Sequence, residues 1–253
     1  MLSKERQNKI HQMLLKNGAV TTSNLVDEFN VSLETIRRDL LSMEHAGMLS
    51  RVHGGAVTVG GMKPFFNLEE RNKSQNEEKR KLSVRTAEFI NEGDYIYVDT
   101  GSTAIFFAEV LKEKFSALTV VTHSLDVFQI LNNHRDFTVI LCAGHYLKKE
   151  NSFYGTLLLD MLSRLHIKKA FLFPGTISLE FGICDYEERL VQVQKKILAI
   201  SDEIYFLADS SKFECKSLLK LDDMKREYTY VTDINLSAEL KKLYIENGIN
   251  IVT

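Results

Sequence analysis

The sequence predicts an α/β protein in two unequal parts. A small N-terminal module of three short helices and a hairpin precedes a larger, mostly parallel sheet with helices on each side. Three observations lead there. The chain has 253 residues, enough for two domains. Its apolar pattern changes character near Gly60-Gly61. Beyond that point, seven short apolar runs rich in Val, Ile, Tyr and Phe alternate with helical patterns. The start, MLSKERQNKI, has no apolar signal core, and no apolar run approaches the ~18 residues of a membrane span. A cytoplasmic location without a membrane partner is the expectation. Cys142, Cys184 and Cys215 are widely spaced with no CxxC pair, which suits reduced, buried thiols.

In residues 1–60, Ile10, Met13 and Leu14 form one stripe of a first helix that Asn17-Gly18 ends. Thr21-Thr22 caps a second helix holding Leu25, Val26 and Phe29. Asn30-Val31 makes a tight turn, Ser32 N-caps a third helix, and Gly47 ends it. Met48 to Val59 alternates loosely around His53-Gly54-Gly55, as a two-stranded hairpin does. Residues 20–39 are therefore helix, turn, helix.

On a wheel at ~100° per residue, VSLETIRRDL puts Leu33, Ile36, Leu40 and Met43 on a packing face. Arg38 points away among Glu34, Thr35 and Ser42, with Arg37 at the flank. The outer face of such a third helix enters the major groove in helix-turn-helix proteins. Arg there pairs with guanine edges or phosphate, Thr meets a thymine methyl, and Ser32 at the helix start meets phosphate. The hairpin with Arg51 and His53 is placed as a wing. An exposed Arg pair is also ordinary solvated surface, and charge does not decide the matter. Seven Lys/Arg stand against six Asp/Glu through Gly60, and the whole chain carries −2.

In residues 61–253, the charged stretch Leu68 to Arg85, within a lead-in over 66–90, reads as a solvated helix. The runs Tyr95–Val98, Leu118–Val121, Phe137–Leu141, Lys169–Phe173, Glu203–Ala208, Tyr228–Val231 and Ile249–Val252 read as strands buried on both faces. Ala104–Lys114 and Leu190–Ile200 are among the helices between them. IYVDTGSTA is a strand that ends in a small-residue turn and enters a helix. The amides of Thr100, Gly101, Ser102 and Thr103 would make an anion site at that helix N-terminus. Thr122-His123, Gly144, Gly175 and the segment from Asp209 to Lys212 close other strands at the same carboxyl edge, where open parallel sheets bind ligands. Lys212 adds a cation for a phosphate, and Asp99 and Asp209 suit sugar hydroxyls. Gly144 and Gly175 also serve simply as turns, and Cys142 with His145 supplies too few ligands for a metal.

Longer motifs sharpen both halves. VSLETIRRDLLSMEHAGMLSRVHGGA, preceded by RQNKIHQMLLKNGAVTTSNLVDEF, closely resembles the DeoR family of bacterial transcription regulators. That family's pattern runs V-S-x-x-T-I-R-R-D-L and then R-x-H-G-G-A. VDTGSTA is similar to its D-S-G-T-T loop, VVTHS to V-V-T-N-S, and LADSSKF to D-x-S-K-F. His123 departs from a common Asn, Ala143-Gly144 from Gly-Gly, and Pro174-Gly175 from Gly-Ala.

The resemblance implies a winged helix-turn-helix that reads a double-stranded operator through Thr22, Ser32, Glu34, Thr35, Arg37, Arg38, Arg51, His53 and Gly54. Asp39 is expected to orient the neighbouring arginines. It also implies a C-terminal sensor domain related to sugar-phosphate isomerases. That domain would take a phosphorylated sugar or related metabolite through Asp99, Thr100, Gly101, Ser102, Thr103, Thr122, His123, Gly144, Gly175, Asp209 and Lys212. No cofactor, metal or catalytic residue is expected. Weak positive charge implies that copies work together, as a homodimer or homotetramer. The expected function is repression of sugar-metabolism genes under effector control. The alternative is an isomerase-like enzyme fused to a DNA-binding module, with Asp99, Asp209 and Lys212 as acid–base groups.

Overall fold

The helices and strands follow from where apolar side chains recur, and the computed structural model describes residues 3–17, 19–46, 48–52, 54–57, 68–73 and 75–253. The N-terminal module runs α1 (Ser3–Asn17), β1 (Ala19–Thr21), α2 (Thr22–Phe29), α3 (Leu33–His45), β2 (Ser50–Val52) and β3 (Gly55–Val57). Gly18, Gly47, His53 and the Gly60-Gly61 boundary lie outside the described residues. Thr21 caps α2, its hydroxyl accepting from the Asn24 amide at 3.2 Å. Asn30 turns the chain with φ 47°, and Ser32 caps α3 by accepting from the Thr35 amide at 3.2 Å. The hairpin gains a strand, because β1 pairs with β3 in the order β1-β3-β2.

Ile10, Leu14, Leu25, Ile36, Leu40 and Met43 are closed off in this module's core. Leu33, expected in the packing face, is 43% exposed, because as the first residue of α3 it lies past the end of the stripe. Asp39 differs from expectation in its partner. It is buried and accepts from Arg6 Nε at 2.5 Å and Ser3 Oγ at 2.6 Å, so it ties α3 to α1 and leaves Arg37 and Arg38 to themselves.

The lead-in forms α4 (Leu68–Asn72) and α5 (Asn76–Thr86). It is not simply solvated. Leu68, Lys79, Leu82, Ser83 and Thr86 are buried, and Leu82 joins the core beneath the sheet. Most of the charges that made it read as surface occupy its outer side, while Lys79 and Arg71 turn inward.

The C-terminal domain continues through β4 (Tyr95–Val98), α6 (Ser102–Lys114), β5 (Thr119–Thr122), α7 (Leu125–Leu131), β6 (Thr138–Leu141), β7 (His145–Leu147), β8 (Ser152–Tyr154) and α8 (Thr156–Leu162). It then runs β9 (Ile167–Leu172), β10 (Thr176–Ser178), β11 (Gly182–Asp185), α9 (Glu188–Ile200), β12 (Ser201–Leu207), β13 (Leu219–Asp222), β14 (Thr229–Val231), α10 (Ala238–Glu246) and β15 (Asn250–Val252). Seven strands form one sheet, ordered β15-β14-β12-β9-β4-β5-β6, with every neighbouring pair parallel. These are the seven apolar runs. One hydrophobic core contains Phe206, Leu172 and Ile197, and a second contains Phe107, Val120 and Phe171.

The order has a functional consequence. From β4 the chain progresses to β5 and β6 on one side; from β9 it progresses to β12, β14 and β15 on the other. The reversal opens a crevice at the carboxyl ends of β4 and β9, where open parallel sheets bind ligands. Two small additions were not legible as apolar runs: the β7–β8 hairpin and the antiparallel β10-β11-β13 sheet. Their strands mix polar residues or glycine with the apolar ones, so no apolar run marks them.

Candidate effector site and nucleic-acid interface

At the β4–β9 crevice, the loop after β4 turns into α6 through Gly101. Its φ of 138° is open to glycine and strained for other residues. No side chain caps α6, so the first amides of that helix face the crevice as donors for an anion. Gly101, Ser102, Thr103, Asp209 and Lys212 line one cavity there, together with Arg71 of α4. The Arg71 Nη1 lies 3.9 Å from the position a Gly101 Cβ would take, so the guanidinium stands at the loop. Lys79 of α5 joins Ser102, Asp209 and Lys212 along a wider opening of the same crevice, whose outer rim includes Thr22 and Gly54.

Three cations and an uncapped helix N-terminus thus meet at one point. Burial pushes the Lys79 ammonium down to about 8, and the nearby Lys212 and Arg71 charges act in the same direction, against Asp209. Lys79 Nζ donates to the Arg71 carbonyl at 2.6 Å. Burial also pushes Lys212 down, with Asp209 opposing. Asp209 itself is used locally: it accepts from the Ser211 amide at 3.1 Å and from the Ser211 hydroxyl at 2.5 Å, which shapes the turn that presents Lys212.

The remaining expected effector residues divide. Thr100 borders a second, deeper chamber and donates to the Glu150 carbonyl at 3.1 Å. Asp99 is fully buried behind the loop, and both of its oxygens are engaged. It accepts from Gln194 Nε2 at 2.9 Å, and His123 Nε2 lies 2.9 Å from its other oxygen. His123 Nδ1 lies 2.7 Å from the Phe153 carbonyl, which only accepts, so Nδ1 carries a hydrogen. His123 is as deeply buried as Asp99, so the pair supports the loop from behind. The Thr122 hydroxyl is occupied by the Ser124 amide at 3.0 Å. A Cβ on Gly144 would lie 2.4 Å from the Tyr154 carbonyl, and one on Gly175 would lie 2.5 Å from the Tyr186 ring, so both glycines serve close packing. Cys142 sits in the core, its thiol pushed up to about 11 by burial, while His145 is exposed.

In the N-terminal module, Glu34, Arg37 and Arg38 are exposed on the outer face of α3. Neither arginine makes an ion pair among the described residues. Thr35 shares a 2.8 Å hydrogen bond with Ser32 at the helix start. Arg51 is held by Glu44, whose carboxylate accepts from the Arg51 amide at 2.8 Å. The Thr22 amide donates to the Gly54 carbonyl at 2.6 Å, which links the start of α2 to the wing turn. His53 lies outside the described residues.

Residues 6–60 match the family described as DeoR-like helix-turn-helix domain, and residues 74–234 match the DeoR C terminal sensor domain. The chain belongs to the DeoR family. It is a DNA-binding transcription regulator, with its helix-turn-helix at the N-terminus and a sensor domain behind it. It is 34% identical to the uncharacterized HTH-type transcriptional regulator YulB of Bacillus subtilis (strain 168), over 96% of this chain and 94% of that one. It is 31% identical to the lactose phosphotransferase system repressor of Lactococcus lactis subsp. lactis, over 94% of each. Ribose 5 phosphate isomerase A from Neisseria gonorrhoeae superposes on 55% of this chain and 54% of its own. The TM-score is 0.39 at 18% identity, a likeness too remote to bear on function.

For this DeoR-family chain, motif reading passed over Arg71, Lys79, Glu150, Asp185 and Gln194. Arg71 and Lys79 stand inside the charge-rich RNKSQNEEKRK, where any one cation looks like surface. Gln194 sits 95 residues from the Asp99 it contacts, on a helix whose local pattern carries no sign of that bond.

Proposed function

We propose that the chain is a repressor of sugar-metabolism genes whose hold on its operator is set by a phosphorylated sugar bound in the β4–β9 crevice. The observation that carries this is the convergence of Arg71, Lys79 and Lys212 on the uncapped start of α6. A phosphate dianion satisfies both the amides and the cations. The name of the lactose phosphotransferase system repressor supports the regulatory sign and the sugar class. The protein acts in the cytoplasm as a dimer or tetramer.

Control follows from where the cations sit. Arg71 and Lys79 belong to the segment that follows the DNA module in the chain, so a ligand that grips them biases the α4–α5 geometry. To shift operator binding, the ligand must prefer one of two assemblies, since equal affinity shifts nothing. A sensing role is favoured over a catalytic one by the engagement of both Asp99 oxygens and by the two bonds that Asp209 Oδ1 accepts from Ser211.

Thermal melting of the full chain against a panel of sugar monophosphates tests the ligand class. The expected result is a raised melting temperature for at least one compound, lost in Lys212→Ala. A flat panel sinks the proposal, and turnover of a panel member in a coupled assay replaces it with the isomerase reading.

A further inference from the structure

Beyond Arg71 lies a second, narrow chamber. Arg71 and Phe173 wall both compartments. The polar groups of the second one include Glu150, Asp185, Glu187, Tyr186 and Gln194, beside Thr100 and Arg71. Glu150 is 2% exposed and Gln194 1%. Arg71 takes the Glu150 Oε2, while Glu150 Oε1 has no hydrogen-bond partner among the described residues. Gln194 spends its amide group on Asp99 at 2.9 Å and Asp185 at 3.0 Å, and its Oε1 likewise has none. Two buried oxygens from separate elements are therefore left open beside one cavity among the described residues: the Gln194 oxygen, which only accepts, and the Glu150 oxygen, which accepts whenever its carboxyl is ionised. A buried acceptor without a donor carries an uncompensated desolvation penalty, which an incoming donor removes.

The charge of the chamber limits what that donor can be attached to. Burial pushes the Glu150 and Asp185 carboxyls up, the Arg71 charge opposes it at both, and the Asp185 and Glu187 charges add to it at Glu150. A second anionic group would meet three carboxyl side chains there. A hydroxyl meets open acceptors.

We propose that this chamber is the hydroxyl-reading end of the effector site. The effector is then a polyhydroxylated monophosphate. Its phosphate lies on the loop of residues 101–103, and one or two hydroxyls reach Glu150 Oε1 and Gln194 Oε1. The inference rests on the anion-site reading above and adds the chemistry of the other end of the ligand: alcohol donors in place of a carboxylate or second phosphate.

Calorimetric titration of the full chain tests it. The probes are inorganic phosphate, glycerol 3-phosphate, ribose 5-phosphate, glucitol 6-phosphate and fructose 1,6-bisphosphate. The tightest monophosphate is expected to bind at least about tenfold more tightly than inorganic phosphate, and the bisphosphate no better than inorganic phosphate. Glu150→Gln and Gln194→Met lie on different elements, so one reports if the other does not fold. In each, the ratio of monophosphate to inorganic phosphate affinity is expected to fall toward one. Equal wild-type affinities, preference for the bisphosphate, or variants that keep the ratio intact overturn the chamber's role. If inorganic phosphate and all four organic phosphates fail to bind, the anion site itself is refuted, which is a separable result.

Discussion

Arg38 and Asp39 are neighbours in sequence with opposite tasks. Arg38 is exposed on α3 without an ion pair among the described residues, so nothing holds it back from a groove. Arg38→Ala is expected to cost roughly tenfold to a few hundredfold in operator affinity, read by fluorescence anisotropy at physiological salt, with the melting curve unchanged. Asp39 is 3% exposed and bonded to Arg6, Ser3 and Gln7. Removing it takes the Asp39 carboxylate from the buried Arg6 cation and breaks the tie between α3 and α1, so Asp39→Ala should destabilise the module by about 3 kcal/mol. Burial raises the Asp39 pKa, but the bonds from Arg6 and Ser3 outweigh it and hold the carboxyl below 3.8. A depressed carboxylate stabilises the fold above its unfolded pKa and loses that contribution as pH falls through the folded value. Acid titration of wild type and Asp39→Asn should therefore begin to converge below pH 3.8, as pH falls toward the depressed folded value.

At the level of elements, α5 is the informative case. Its Lys79 is 3% exposed, with a pKa pushed down to about 8 by burial. A sugar monophosphate stays a dianion above pH 7, so its affinity should weaken as pH rises through 8 and Lys79 loses its proton. Lys79→Arg, which remains charged, should flatten that profile between pH 7 and 9. A profile equally steep in the arginine variant would remove Lys79 from the site. The same shift makes folding stability rise as pH climbs from about 8 toward 10.5, because the buried charge is then relieved. The sequence revealed all seven sheet strands because each lies in an apolar run, but burial on both faces fails at edge strand β6, whose residues are exposed or half-buried. It missed β10, β11 and β13, in which polar residues or glycine break the apolar run. It also misassigned α5, where NEEKRK reads as solvated although one lysine of the run is buried. The loop of residues 100–103 was legible because its small residues and its helix are contiguous. Arg71 and Glu150 are 79 residues apart, and no local pattern encodes their meeting.

The whole molecule carries −2, and its DNA module is nearly balanced in charge. A single copy neutralises few phosphates, so its affinity and its salt dependence should both be modest. A duplex with two half-sites should then bind far more tightly than one with a single half-site, by cooperation between copies. The account's central claim is that an anion at the β4–β9 crevice changes this operator affinity. Its most direct test uses a duplex that the protein itself selects from a random library, titrated with and without saturating sugar monophosphate. The affinity of the wild type is predicted to fall when the effector is present. Lys212→Ala should bind the same duplex without effector yet fail to respond to it. An equal response in Lys212→Ala, or no response of the wild type to any sugar monophosphate that binds it, contradicts the account.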